Sequence, residues 1–459
     1  MNHAEITRRP LLLRLAVGVV LSALAIAGGS WLVRGPSTPH PAGSVDLGQP
    51  DAVVSIDTPT TDGLLPPDER VAFWEARVAA GGGYLDRIHL ADAYVDRTRS
   101  TGDLADFHRA EVALADARVT APNTTLVEVR EALIAFSLHD FGGAAQIATN
   151  VLEGDPDNLA ALTVKGDSLL EMGDVDGAVA LYERLGQAAP SAASWSRLGR
   201  VAFLRGDADG ATSYISRAAS AALEAGFPDE VAFFHVQLGD LHRAVGRLSD
   251  AERAYATALD ALPDHVPALA GLARVREAEG RRAEAITLLE RATARLPQPE
   301  YIATLGDLHA LDGDRVRADE QYALVEAIAG LGAAESVYDR AYVLFAADHD
   351  RDVEGAVQRA RAELELRADV YGYDALAWAL FAAGRVDEAW VAATEATRHG
   401  SIDPRIAYHA GMIAAATGRL DEAGDLLRHA VTGSAALPPL QVARAAEALE
   451  GLAGAGGPD

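Results

Sequence analysis

Residues 195–218 read WSRLGRVAFLRGDADGATSYISRA, and three of their features decide the fold. Gly199 and Ala211 stand twelve apart, Arg205-Gly206-Asp207 lies between them, and Ile215 follows four residues after the second small side chain. Small side chains let two helices approach closely, while a glycine between them supplies the left-handed stop that ends one helix before the next begins. The same beat returns at Gly166/Ala178, Gly239/Ala251, Ala273/Ala285, Gly306/Ala318, Ala377/Ala389 and Gly411/Ala423, with turns at Gly173, Gly246, Gly280, Gly313, Gly384 and Gly418. Tyr182, Tyr255, Leu289, Tyr322 and Leu427 hold the large apolar position, and Pro190, Pro263 and Pro297 close their units. A period of about 34 residues is that of a helix-turn-helix repeat, in which no unit buries its face alone and stacking makes the core continuous.

These residues resemble the tetratricopeptide repeat family. Its pattern is met by Trp195, Leu198-Gly199, Ala211, Ile215 and Ala218, and again by Leu238-Gly239, Ala251, Tyr255, Ala258 and Pro263. The resemblance runs from Tyr84 to about Ala430, with irregular units around Ser100-Thr101-Gly102 and between Tyr338 and Glu363. It implies an all-α fold, a right-handed α-solenoid of paired helices with an extended concave face. Residues 68–438 are expected to form about nine to ten units. Residues 439–452, alanine-rich with Arg444, Glu447 and Glu450 outward, are expected to form a capping helix, and 453–459 a frayed tail.

The N-terminus reads as a membrane address. Arg8, Arg9 and Arg14 flank Leu11-Leu12-Leu13, and Leu15 to Val33 is uncharged. At 1.5 Å per residue such a helix reaches roughly 28 Å, close to the hydrocarbon thickness of a bilayer. Segment 1–34 is therefore expected to anchor the chain through Leu11 to Val33 in a single pass, N-terminus inside, or to be a signal peptide cleaved near Ala25-Ile26-Ala27 with secretion of the rest. Residues 35–67, rich in Pro, Ser and Thr, read as a disordered spacer. Both arrangements put the array outside the cytoplasm. Lys165 is the only lysine, and the abundance of Ala, Gly, Asp and Val resembles the coding bias of a GC-rich bacterial genome.

Composition limits the chemistry. With Lys+Arg 40 against Asp+Glu 67, the net charge of −27 disfavours nucleic acid, and zero cysteines exclude disulfides, thiolate metal sites and a cysteine nucleophile. There is no phosphate-binding glycine loop, nucleophile elbow or zinc-spaced histidine pair, so neither an enzyme nor a cofactor is expected. Asp240-Leu241-His242 and Asp307-Leu308-His309 repeat one register, which reads as histidines satisfied between helices rather than metal ligands. Asp348-His349-Asp350-Arg351-Asp352 begins like a calcium loop but has Val353 where the turn needs glycine and Arg359 where a carboxylate is needed. A solvated inter-helix loop is the expectation there.

Function is therefore sought on the inner helices, as a non-catalytic scaffold or adaptor that binds a protein or peptide partner, or else a structural spacer without a discrete ligand. Family geometry implies that Ser196, Arg197, Arg200, Asp240, Arg243, Arg274, Glu277 and Asp307 line the concave wall of the middle units. The Lys and Asn clamp of chaperone-binding members is not matched. Nearer the C-terminus the same positions give Tyr371, Asp374, Trp378 and Phe381, then Arg405, Tyr408 and Met412. Aromatics beside an Arg and an Asp make a candidate anchor for a bound peptide, with burial under neighbouring helices as the alternative.

Overall fold

The computed structural model describes residues 65–101, 103, 105–122, 124–332 and 339–455. The described residues form α-helices and one short 3-10 turn. Helix α1 (Pro67–Ala79) leads into α2/α3 (Tyr84–Thr101, Ala105–Thr120), α4/α5 (Thr125–Ser137, Phe141–Gly154) and α6/α7 (Leu159–Glu171, Val175–Ala188). Then come α8/α9 (Ala192–Leu204, Ala208–Ala225), α10/α11 (Pro228–Ala244, Leu248–Ala261), α12/α13 (Val266–Ala278, Arg282–Arg295) and α14/α15 (Pro299–Leu311, Arg315–Gly332). The last pairs are α16/α17 (Asp339–Asp348, Val353–Leu366), α18/α19 (Val370–Ala382, Val386–Thr397) and α20/α21 (Pro404–Ala416, Leu420–Thr432). The 3-10 turn Ser434–Ala436 then passes the chain to α22 (Pro439–Ala455). Among the described residues, ten antiparallel pairs lie between α1 and α22. The closing helix runs past the expected 439–452 into the segment expected to fray, because Leu449 and Leu452 pack on the preceding units. The expected anchor Leu11–Val33 and the spacer up to residue 64 lie outside the described residues. Among the described residues, no helix is long and apolar enough to cross a membrane.

Packing within the pairs follows the residue beat. Tyr255 is fully buried between Gly239 and Gly271, where a Cβ would come within 2.5 Å and 2.3 Å of its ring, so only glycine admits the tyrosine there. Second helices of several pairs start on one device: Asp140, Asp174 and Asp207 accept a hydrogen bond from the backbone N–H of Gly143, Gly177 and Gly210. Such a cap satisfies an N–H the helix itself leaves open and contributes about 1 kcal/mol. A second polar contact recurs between partners. The hydroxyls of Tyr182, Tyr255 and Tyr322 donate to Asp167, Asp240 and Asp307 at 2.8, 2.6 and 2.9 Å. Where the large position is aliphatic instead, at Ile215 and Leu289, the matching inner position is Arg200 or Arg274, so Asp and Arg alternate along five successive units.

The concave face does not stay open, because the C-terminal pairs come round to meet the central ones. Leu170, Val201 and Leu204 share an apolar cluster with Val370, Ala396 and Ile406. Arg367, which caps α17, pairs with the buried Glu171, whose carboxylate also receives Arg200 at 3.1 Å. The backbone N–H of Ile402 donates to the carbonyl of Phe203, and Arg398 donates to the carbonyl of Gly173. Arg243 and Arg274 reach the carbonyls of Ala435 and Leu437 around the 3-10 turn. Backbones also come close at Gly206, φ +80°, where a Cβ would sit 2.5 Å from the carbonyl oxygen of Gly400. Arg367 also lies over the Phe141 ring, next to His139, a non-glycine residue at φ 64° in the α4–α5 turn.

His139 reports on that closure through its charge. Burial, and then the nearby Arg367 and Arg340, push its imidazole down to about 4. An ordinary histidine takes its proton near 6.5, so the unfolded chain binds a proton that the folded one refuses between those values. The stability contributed by neutral His139 is present above pH 6.5 and is lost as pH falls toward 4. His139→Asn, which tolerates the left-handed backbone, should remove this dependence, on the order of 1–2 kcal/mol once the partial solvation of the ring is discounted. Urea melts of both proteins across that range provide the check, and parallel curves would contradict the burial of the ring beside the two arginines.

Candidate functional site

Between the first helices of the central pairs and the returning C-terminal pairs lies a cavity of ≈ 1570 Å³. Helices α8, α10, α12 and the start of α14 form one wall through Ser196, Phe203, Phe233, Gln237, Ala270 and Tyr301. The other comes from the start of α16, the end of α17 and the N-terminal turns of α18 and α20. Most lining arginines are engaged. Arg197 makes a bidentate pair with Asp167 at 2.8 Å, Arg243 meets Asp240 at 3.0 Å, Arg274 meets Glu300 at 2.9 Å, and Arg340 bridges Glu363 and Asp369. Ion pairs half-shielded from water hold geometry more than they add stability, since desolvation offsets much of the attraction.

Arg405 differs. It opens α20, lines the cavity, and its nearest acid oxygen, Oδ2 of Asp374, is 3.7 Å away, beyond hydrogen-bond reach. Its Nε is buried and has no partner among the described residues. Burial and the adjacent positive charges of Arg243 and Arg405 weigh on Arg274, whose proton is held less tightly than usual although Glu300 opposes this. The hydroxyls of Tyr301 and Tyr371 line the same space and make no hydrogen bond among the described residues. Burial pushes both phenols well above their ordinary range, with Glu300 and Asp403 respectively adding to it. They are fixed donors at any physiological pH.

The expected site residues divide in two. Arg197, Arg200, Arg274, Tyr371 and Arg405 line the cavity, together with Ser196, Asp240 and Arg243. Asp374, Trp378, Phe381, Tyr408 and Met412 do not. Trp378 is 5% exposed and Tyr408 0%, and both pack with Phe381 and Met412 against Leu437, Ala445 and Leu449. The physical reason is that α22 and the turn before it lie across the inner face of the last pairs, where a peptide would have to lie. Trp378 stacks on His409, with ring centroids 4.2 Å apart, and its Nε1 donates to Asp348. His409 in turn holds Asp374 at 2.8 Å, and Gln441 of α22 also donates to Asp348. These side chains therefore belong to the core.

Three smaller expectations also changed. Asp348 and His349 are not a solvated loop: His349 bonds Asp307 at 2.8 Å, and Asp348 is covered by α22. Burial raises the Asp348 carboxyl, against the pull of His409 and Trp378, while for His349 burial is the largest influence and lowers its pKa, but the hydrogen bond and charge of Asp307, the Phe345 carbonyl and Asp348 together leave it raised. Asp307 faces Tyr322 and His349 instead of the cavity, and Glu277 pairs with Arg282. Of the two repeated histidines, His309 is buried, but the Nδ1 of His242 has no hydrogen-bond partner among the described residues. No group of His, Asp and Glu able to hold a metal occurs among the described residues. Sequence reasoning missed Arg340, Arg367 and Tyr301. Arg367 sits at a helix end where inner-face register assigns nothing, and its partner Glu171 is 196 residues away.

Two family models described as tetratricopeptide repeat match the chain, one at residues 135–200 and 242–308, the other at 375–438. No curated protein sequence matches. Among solved structures, the chain is similar to a tetratricopeptide repeat protein from Parabacteroides merdae, at 18% identity and a TM-score of 0.40 over 53% of this chain and 93% of that one. It is similar to PilW, a type IV pilus biogenesis factor, at 20% identity and 0.39 over 45% and 94%, and to the human IFIT1 dimer at 13% and 0.45 over 79% and 86%. The matched segments, with the helix pairs described around them, support the tetratricopeptide repeat as the unit of this array.

Proposed function

We propose that the chain is a non-catalytic scaffold that holds a segment of a partner protein in the cavity between its central and C-terminal units. Tetratricopeptide repeats generally mediate protein–protein interaction and are typically non-catalytic. The observation that carries the reading is the cavity itself: ≈ 1570 Å³ exceeds the ~300–1,000 Å³ usual for small-molecule sites and suits a length of polypeptide. Its wall alternates aromatic faces with fixed hydrogen-bonding groups, the combination that anchors a peptide. A second reading, a structural spacer without a ligand, draws support from the closure, since Arg243 and Arg274 of the concave face already bond the chain's own backbone.

We place the array outside the cytoplasm of a bacterium, tethered by Leu11 to Val33, on the strength of the arginine flank and the length of the uncharged stretch.

Photocrosslinking in the native cell separates scaffold from spacer. With p-benzoylphenylalanine at Phe233, on the cavity wall, a discrete crosslinked partner is expected; at Phe227, 55% exposed and outside the cavity, none is. Equal capture at both positions, or none at Phe233, would sink the scaffold reading. Placement can be read from the cysteine-free background. A single cysteine at Val316, 71% exposed, should react with a membrane-impermeant maleimide in cells whose inner membrane is intact, and protection until lysis would place the array inside.

A further inference from the structure

The cavity holds an unmet demand for oxygen ligands at one place. Arg405 has five N–H donors, none of which makes a hydrogen bond among the described residues, and its side chain is 27% exposed on the cavity side of α20. Around it stand the hydroxyl of Tyr371 on α18 and, from the opposite wall, Arg274 and Tyr301, close enough that their charges influence one another. Elsewhere on the wall the chain fills such needs itself, as Asp167 does for Arg197 and Asp240 for Arg243. Asp403 instead turns its Oδ1 to the backbone N–H of that same residue and makes no hydrogen bond to the guanidinium. Asp374 gives its Oδ1 to His409 and leaves its Oδ2 3.7 Å from the Arg405 Nε, near enough to share charge but not a hydrogen bond.

Resting on the scaffold reading above, we infer that Arg405, with Tyr371 beside it and Arg274 and Tyr301 opposite, is a subsite for a single carboxylate of the partner segment. A planar guanidinium takes a carboxylate through two parallel N–H···O bonds, and phenolic donors held in their neutral form can supply the remaining contacts. The charge required is one. Asp403, Asp374 and Glu300 all lie near enough to act on Arg405, and they would repel a phosphate dianion more strongly than a carboxylate. An Asp or Glu side chain and a chain-terminal carboxylate share this chemistry, and the probes below tell them apart.

The test is thermal unfolding of the full chain at constant ionic strength, titrated with N-acetylglutamate α-amide, N-acetylalanine, N-acetylglutamine α-amide or inorganic phosphate. A ligand of the folded state raises the melting temperature in proportion to its affinity. One of the two carboxylates is expected to stabilise the protein where the neutral glutamine analogue does not. The first responding assigns the site to an acidic side chain, the second to a chain terminus. Arg405→Gln should weaken that response about tenfold, the loss of a charge-assisted pair. Should Arg405→Gln fail to fold, Arg405→Lys keeps the charge but not the fork and should still weaken it severalfold. Equal effects of acid and amide, an undiminished response in the variant, or phosphate acting more strongly than either carboxylate would overturn the assignment. Partner capture at Phe233 alongside a failed titration leaves the scaffold and removes the subsite, whereas a carboxylate response without capture leaves Arg405 as an anion site and removes the partner segment with the scaffold.

Discussion

Backbone laid against backbone holds this array shut. At Gly206 the bare Cα admits the carbonyl oxygen of Gly400 at a distance no side chain allows, and the same relation recurs where Gly173 meets Ala368 and Gly246 meets Thr432. These turns are spaced by one repeat, and so are the loops they meet. One contact therefore sets the next, much as ridges and grooves do between helices. The Arg367–Glu171 pair and the cluster of Leu170, Val201, Val370 and Ile406 lie along the same seam. The cavity, and with it every functional statement about its wall, exists because the seam closes.

How much of this is written in the sequence depends on the range of the interaction. The helix pairs were legible because their rule is local: small at one position, small again twelve later, glycine at the turn between. The alternation of Asp167, Arg200, Asp240, Arg274 and Asp307 is local too, since each aspartate answers a tyrosine fifteen residues on in the neighbouring helix. That placed Arg197, Arg200 and Arg274 on the inner wall. Closure was not legible. Glu171 and Arg367 carry no pattern linking them, and the turn glycines that receive a carbonyl look like Gly384 and Gly418, which meet nothing.

The aromatic cluster shows the cost of reasoning from register alone. Trp378 and Tyr408 occupy positions that would face a groove in an open array, but α22 folds back across them. A terminal helix in a repeat protein has to cover the last apolar face, and here it does so on the concave side. What looked like a partner anchor is the array binding its own end, with Gln441 and Trp378 sharing Asp348. Tyr371 and Arg405 escape this cover because they lie nearer the N-terminal ends of their helices, beyond the reach of α22.

The most direct test is the distance across the seam. Because the chain has no cysteine of its own, spin labels can be attached at Asp209 and His399 alone, beside the Gly206–Gly400 contact, and their separation measured by pulsed electron resonance in the full chain. A closed array gives one short, narrow distribution. A long and broad one would mean that the repeats stand open, and the cavity would not exist in solution.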